Sequence, residues 1–299
     1  MKRTVLFAAC MAYLRFEPLA HAHTHATIDS PRGPVPLMIP DGYSAQTPVP
    51  LILSLHGFGG TGQSYIQYWE KNKQVDAKRF IVAAPTGTKD SKGRTFWNAT
   101  DACCNKDVSA VDDSKYLRDL IESIQSEYAI DPKSIHVTGY SNGGFMAHRM
   151  ACEHADLLAS IASVAGAGFA DASMCTPKRP IHVLQIHGTD DPVIRYEGGR
   201  LKNYKSDVRV EHPSALDSVR FWAQHNGAPL EGKTLEPMDL SHRTPGPDTE
   251  ARQFKTLKAP FMTAELWPIK GETHVPKMTD TFHDRATQWM LSHTQSDMP

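Results

Sequence analysis

Ser141 sits in Gly139-Tyr140-Ser141-Asn142-Gly143, a G-x-S-x-G pattern. Serine is a weak nucleophile until a base takes its proton, and that base needs a group to orient it. The chain offers both further on. Thr189-Asp190-Asp191-Pro192 places two carboxylates side by side, and Lys270-Gly271-Glu272-Thr273-His274 ends on a histidine. In this order Ser141 Oγ attacks an acyl carbon, His274 takes the proton and returns it to the leaving group, and an aspartate holds the imidazole. Spacing alone leaves Asp190 and Asp191 open. The oxyanion that forms needs two N–H donors. One is expected from the backbone of Asn142, directly after the serine, where the side chain is secondary. The other is expected from Phe58, in the glycine-rich run LILSLHGFGGTG. The competing reading of these features is a tight strand–helix junction with a surface serine, and a plain glycine turn. A phosphate loop is disfavoured, because G-x-x-x-x-G-K-[ST] is absent.

These residues need elements to hold them. VPLILSLHG (49–57) and RFIVAAPTG (79–87) are short apolar runs bounded by turn signals, the pattern of buried parallel strands. Leu117, Leu120, Ile121, Ile124 and Tyr128 recur at steps of three and four and predict a helix over 111–128, closed by Asp131-Pro132. SIHVTGYS then reads as a strand and NGGFMAHRMACEHA as a helix, the strand–turn–helix context of a nucleophile elbow. SIASVAGAG (160–168), PIHVLQIHG (180–188), ARQFKTL and TAELWPI read as further strands. Helices are expected over 214–226, ended by Gly227, and over TFHDRATQWMLSH. Residues 229–250 read as a long polar loop, and 31–50 as a Pro-rich lead. Alternating strands and helices imply an α/β fold, a mainly parallel sheet with helices on both faces. The acid and the base each follow a different predicted strand, where ligands bind in such sheets.

Fifteen histidines are present, and only His274 combines chain order with a strand end. His56 and His187 precede glycines at strand ends and are expected to bond loop backbone. His283 and His293 fall in the closing helix, and His242 in the polar loop. Trp97, Phe96 and Tyr65 are candidates for the wall of an acyl pocket, against ordinary packing.

The 299 residues carry 32 basic and 33 acidic side chains. No basic stripe points to nucleic acid. Lys2 and Arg3 precede the apolar run TVLFAACMAYL, and Ala20-His21-Ala22 offers a small-x-small cleavage site. Residues 1–22 therefore read as a signal peptide, with 23–299 as one catalytic domain in a secreted or periplasmic protein. The apolar run is too short for a membrane span. Cleavage leaves His23-Thr24-His25 at a new terminus; an amine with such histidines can chelate copper or nickel, while the plainer reading is a loose tail. Cys103, Cys104, Cys152 and Cys175 remain, an even number that favours two disulfides in an exported chain. Three connectivities exist on paper, and a bond between the neighbours Cys103 and Cys104 is disfavoured. A cysteine metal site is a poorer reading, since no second CxxC-like spacing exists.

LHGFGGTG, FWNATDACC, VDDSKYLRDLI, GYSNGGFMAHRMAC, IHGTDDPVIRYEGG and FWAQHNG resemble successive landmarks of secreted polyhydroxybutyrate-depolymerase-like and feruloyl-esterase-like α/β-hydrolases. The resemblance runs from about residue 50 to 275. It implies an α/β-hydrolase fold and a serine esterase without cofactor or metal. It implies Asp191 as the acid, through the HG-T-x-D-x-V pattern, and disulfides near the cleft from Cys103, Cys104 and Cys152. Two departures bear on substrate. Such proteins often carry GGGH and then an aromatic, where this chain has Gly271-Glu272-Thr273-His274-Val275; and Ala228 stands where a cysteine is often seen.

The expectation is a serine carboxylic-ester hydrolase acting on feruloyl or acetyl esters of plant polysaccharides, or on short hydroxyalkanoate esters. With no polymer-binding module following, a small-molecule or polysaccharide-linked ester is expected rather than a crystalline polymer. The alternatives are an exported serine peptidase on the same fold and an inactive hydrolase-fold binding protein.

Overall fold

A computed structural model describes residues 23–201 and 211–295. The proposed signal segment, residues 1–22, lies outside the described residues. The strands are β1 (Thr24–Ile28), β2 (Val35–Ile39), β3 (Val49–Leu55), β4 (Ile81–Ala83), β5 (Thr88–Lys89), β6 (Thr95–Phe96), β7 (Ile130–Tyr140), β8 (Ser160–Val164), β9 (His182–Gly188), β10 (Gly199–Arg200), β11 (Glu211–His212), β12 (Lys233–Thr234), β13 (Arg252–Lys255) and β14 (Thr263–Ile269). The helices are α1 (Gly62–Asn72), α2 (Gln74–Lys78), α3 (Asp113–Glu127), α4 (Asn142–His154), α5 (Ala215–Asn226) and α6 (Asp280–Ser292). Ten strands form one sheet in the order β1-β2-β4-β3-β7-β8-β9-β14-β13-β12. The pairs from β4 through β14 are parallel, and both flanks are antiparallel. This is the mainly parallel α/β sheet expected from the alternation.

The near-continuous apolar strands follow from burial on both faces. In β3, Leu51, Leu53 and Leu55 join a core with Leu117 of α3, Phe145 of α4 and Trp222 of α5. Ile52, between them, points the other way, into a core with Trp69 of α1, Val75 of α2 and Trp289 of α6. A period of two thus divides one strand between two cores. Each fully buried side chain of this size contributes about 1.5–3 kcal/mol.

Several elements depart from expectation. The histidine-bearing tail is ordered as β1, paired antiparallel with β2 from Thr24↔Ile39 to Ile28↔Val35. The Pro-rich lead contains β2, whose Leu37 and Met38 are fully buried. Asp131-Pro132 lies inside β7, which begins at Ile130. Helix α1 was hidden behind the glycine-rich run. Thr61 caps it by accepting from Ser64 N while Ser64 bonds back, a capping box. The 229–250 segment is largely irregular, as expected. It includes β12, and Met238 bridges to Thr249.

Cys152, in α4, is bonded to Cys175, with Cα atoms 5.4 Å apart. The neighbours Cys103 and Cys104 are bonded to each other across a cis peptide, contrary to the expectation from sequence. With Cys152 and Cys175 joined, each is the other's remaining thiol partner among the described residues.

Candidate active site

Strand β7 ends at Tyr140, and α4 begins at Asn142. Ser141 between them has φ 54° and ψ −117°. This is a strained conformation for a residue with a side chain. Packing imposes it. A Cβ on Gly139 would fall 2.1 Å from the carbonyl oxygen of Gly143, and one on Gly143 would fall 2.3 Å from that of Leu55. Strand and helix therefore touch backbone to backbone, and the chain turns sharply between them. Ser141 makes no capping bond to its own helix, so its hydroxyl faces elsewhere.

His274 receives it. Ser141 Oγ lies 3.0 Å from His274 Nε2, and His274 Nδ1 lies 2.7 Å from Asp191 Oδ2. His274 and Asp191 follow β14 and β9, which pair in parallel and so end side by side. Asp191 is buried. Its Oδ1 accepts the N–H groups of Val193 at 2.8 Å and Ile194 at 2.9 Å. Burial alone would raise its pKa. The facing His187 and His274 side chains and the Val193 N–H outweigh burial and hold the carboxyl well below the usual carboxylate range. Asp190 is exposed and bonds Thr189 instead. The structure therefore brings Asp191, and not Asp190, to the histidine.

The expected oxyanion donors are the N–H groups of Asn142 and Phe58. Asn142 opens α4, where the first N–H groups have no intrahelical acceptor. Phe58 follows Gly57, whose α-carbon packs so closely that a Cβ would meet the Tyr140 ring at 3.1 Å. The next two N–H groups are engaged, Gly59 with Thr95 O and Gly60 with Gly57 O. His56 holds the loop as expected for a backbone fastener. Its Nδ1 lies 2.7 Å from Gly57 O, and its Nε2 accepts from Gly87 N at 2.9 Å. His187 acts alike, with Nε2 2.7 Å from Ile194 O.

Sequence reading missed three supports. Tyr140 donates its hydroxyl to the carbonyl of His274, and burial with the nearby Asp191 charge raises its pKa to about 12. Glu272, met only as a departure from GGGH, is fully buried. It accepts from Ser241 Oγ, Arg243 Nε at 3.1 Å, and the N–H groups of Thr273 and Lys277 at 3.1 Å each. It therefore ties the His274 loop to the 229–250 segment. Burial would raise the Glu272 pKa, but these donors lower it. The third is the Asn142 side chain. Oδ1 accepts from Trp97 N at 2.7 Å, and Nδ2 donates to Trp97 O at 2.9 Å. Nδ2 also lies 3.8 Å from Cys103 Sγ, so Cys103 packs beside the residue that follows Ser141.

Trp97 and Phe96 are buried core residues. Tyr65 does line a cavity of about 280 Å³, together with Tyr140, Val275 and Phe282. Val275, in the place of the missing aromatic, is 71% exposed and presents an aliphatic edge beside His274. Among the described residues, no helix is long and apolar enough to cross a membrane.

Known proteins carry similar chains. Residues 43–212 match a family described as phospholipase/carboxylesterase. Feruloyl esterase B of Piromyces equi is 29% identical over 205 residues, 66% of this chain and 36% of the relative. A bifunctional acetylxylan esterase/xylanase of Neocallimastix patriciarum is 30% identical over 249 residues, 81% of this chain and 31% of the relative. The chain thus spans about a third of the length of these two relatives. An acetyl xylan esterase structure from Aspergillus awamori superposes with a TM-score of 0.56 at 15% identity, over 90% of this chain and 98% of that one. That likeness is one of fold, the α/β-hydrolase fold. Since the family match covers more than half its length, this chain belongs to the phospholipase/carboxylesterase family of α/β-hydrolases.

Proposed function

We propose that this protein is an exported serine carboxylic-ester hydrolase, with residues 1–22 as its signal peptide and 23–299 as a single catalytic domain. The observation that carries the reading is the hydrogen-bonded chain from Ser141 through His274 to Asp191 at a strand–helix elbow. Ser141 Oγ attacks the ester carbonyl as His274 Nε2 takes its proton. Asn142 N–H and Phe58 N–H bind the oxyanion. Collapse of the tetrahedral intermediate breaks the ester bond, and His274 gives its proton to the departing alcohol. Water then gives a proton to His274 and attacks the acyl-serine. The acid leaves, and Ser141 regains its proton. Asp191 stays ionised, fixing the imidazole tautomer and balancing the imidazolium. No step draws on a cofactor or metal.

The substrates are feruloyl or acetyl esters of plant polysaccharides, or short hydroxyalkanoate esters. The first two accord with the names of the relatives, and the third with the motif resemblance. The test is hydrolysis of p-nitrophenyl acetate and methyl ferulate by the purified protein. Ser141→Ala is expected to abolish turnover and His274→Ala to reduce kcat by several orders of magnitude. Full activity in Ser141→Ala sinks the nucleophile assignment.

A further inference from the structure

The edge strand β1 opens with a group the active site does not use. His23 and His25 are two residues apart in extended chain, so both rings fall on one side of the strand. Their centroids are 5.1 Å apart. Helix α1 presents Glu70 to them, with Oε1 2.8 Å from His25 Nε2. One ligand atom from each of His23, His25 and Glu70 lies within 4.8 Å of the others. Behind His23, Asp76 of α2 sits with Oδ2 3.0 Å from Nδ1. The other oxygen of Asp76 accepts from Asp41 N at 2.9 Å, which fixes the carboxylate.

We infer that His23, His25 and Glu70 form a surface site for a divalent transition-metal ion of the zinc type. The donor set argues the class. Two imidazoles and one carboxylate suit zinc, copper or nickel, whereas magnesium and calcium favour oxygen ligands alone. A tetrahedral ion with bonds of about 2.0–2.1 Å holds its ligand atoms about 3.3 Å apart. Small rotations of partly exposed side chains reach that spacing. The carboxylate behind an imidazole is the usual outer support of a metal-bound histidine: Asp76 takes the Nδ1 proton of His23 in a hydrogen bond and leaves Nε2 for the ion. Three of the four supporting groups come from outside the strand or flank it, so the ion fastens an edge strand, paired in the sheet with β2 among the described residues, onto α1 and α2. The site is structural, on a part of the fold the ester chemistry does not touch.

The experiment titrates chelator-treated full chain with Zn²⁺ by calorimetry and follows thermal unfolding with and without the ion. The expected result is one saturable Zn²⁺ per chain, a higher Tm with zinc, and no competition from equal Mg²⁺. His25→Ala and Glu70→Gln each weaken binding at least tenfold and remove the Tm shift, with ester hydrolysis unchanged. Asp76→Asn weakens binding about tenfold or more, and His242→Ala leaves it unaltered. Absence of saturable binding overturns the site. So does binding that survives in both His25→Ala and Glu70→Gln.

Discussion

The side chain of Asn142 grips the backbone of Trp97 at both of its polar groups, 45 residues away along the chain. The residue proposed to offer its N–H to the oxyanion therefore also holds the loop that carries the Cys103–Cys104 pair. Asn142→Ala leaves a buried N–H and a buried carbonyl unpaired, each at about 1–3 kcal/mol. Urea unfolding is expected to show a loss of about 2–6 kcal/mol on that basis. The backbone donor is retained, so kcat on p-nitrophenyl acetate falls less than in Ser141→Ala. Unchanged stability refutes the clamp.

Asp191→Asn tests the acid in two ways. The amide imposes the wrong tautomer on His274, and kcat is expected to fall by about 10⁴. The second readout is pH dependence. The folded carboxyl titrates below its unfolded value of about 3.9. Its contribution is thus complete above that value and is lost as pH falls through it toward the folded pKa. Urea midpoints at pH 6 and pH 3.5 are expected to drop further in the parent than in Asp191→Asn. Parallel drops contradict the assignment.

Three buried histidines set a different pH window. Burial, with the nearby His293, lowers His136 to about 3. Burial with His293 and His136 lowers His182 to about 3. Burial lowers His148 to about 4 against an opposing bond to Gln185. Below about pH 6.5 the unfolded chain binds protons that the folded one refuses, so stability falls as the solution is acidified. Each histidine contributes up to about 1.4 kcal/mol per pH unit. Burial also lowers His56, His154, His212, His283 and His293, so the urea midpoint is expected to fall between pH 7 and pH 5 and His148→Gln to make that slope shallower without removing it. A flat profile over that range argues that the three rings already hold protons in the fold.

Glu272→Ala addresses the brace under the histidine loop. Ser241, Arg243 and two backbone N–H groups lose their acceptor. Each buried donor left unpaired is expected to cost about 1–3 kcal/mol, while the Arg243 side chain, 39% exposed, turns to water. Misplacing His274 by an ångström is expected to lower kcat by about 10²-fold. Kinetics at a temperature where the variant is folded separate the two effects; normal kcat there makes Glu272 a stability residue only.

Legibility followed burial and distance in sequence. The parallel strands were readable because burial on both faces makes them apolar throughout, and Ser141, His274 and the pair Asp190-Asp191 because each stands just beyond one; strand-end position alone did not choose between the two aspartates. The antiparallel flanking strands β1 and β2 escaped notice: exposed His25 and Thr27, and the prolines flanking and within β2, look like coil until a partner strand is known. Helix α1 escaped because glycines masked its capping box. Glu272 looked like a missing glycine because Ser241 and Arg243 reach it from a distant loop. Pairings of that kind depend on how the chain closes on itself, and no local spacing records them.

The contacts at Gly139 and Gly143 bear on how the elbow changes over time. Of the three invariant letters in G-x-S-x-G, two describe a fit between backbones and one describes a reaction. The fit constrains the glycines and is indifferent to the hydroxyl. A descendant that replaced Ser141 with alanine would keep the same bend, the same helix and the same cleft. Loss of the proposed turnover is one oxygen atom away and needs no refolding, so the motif's outline can outlive its chemistry.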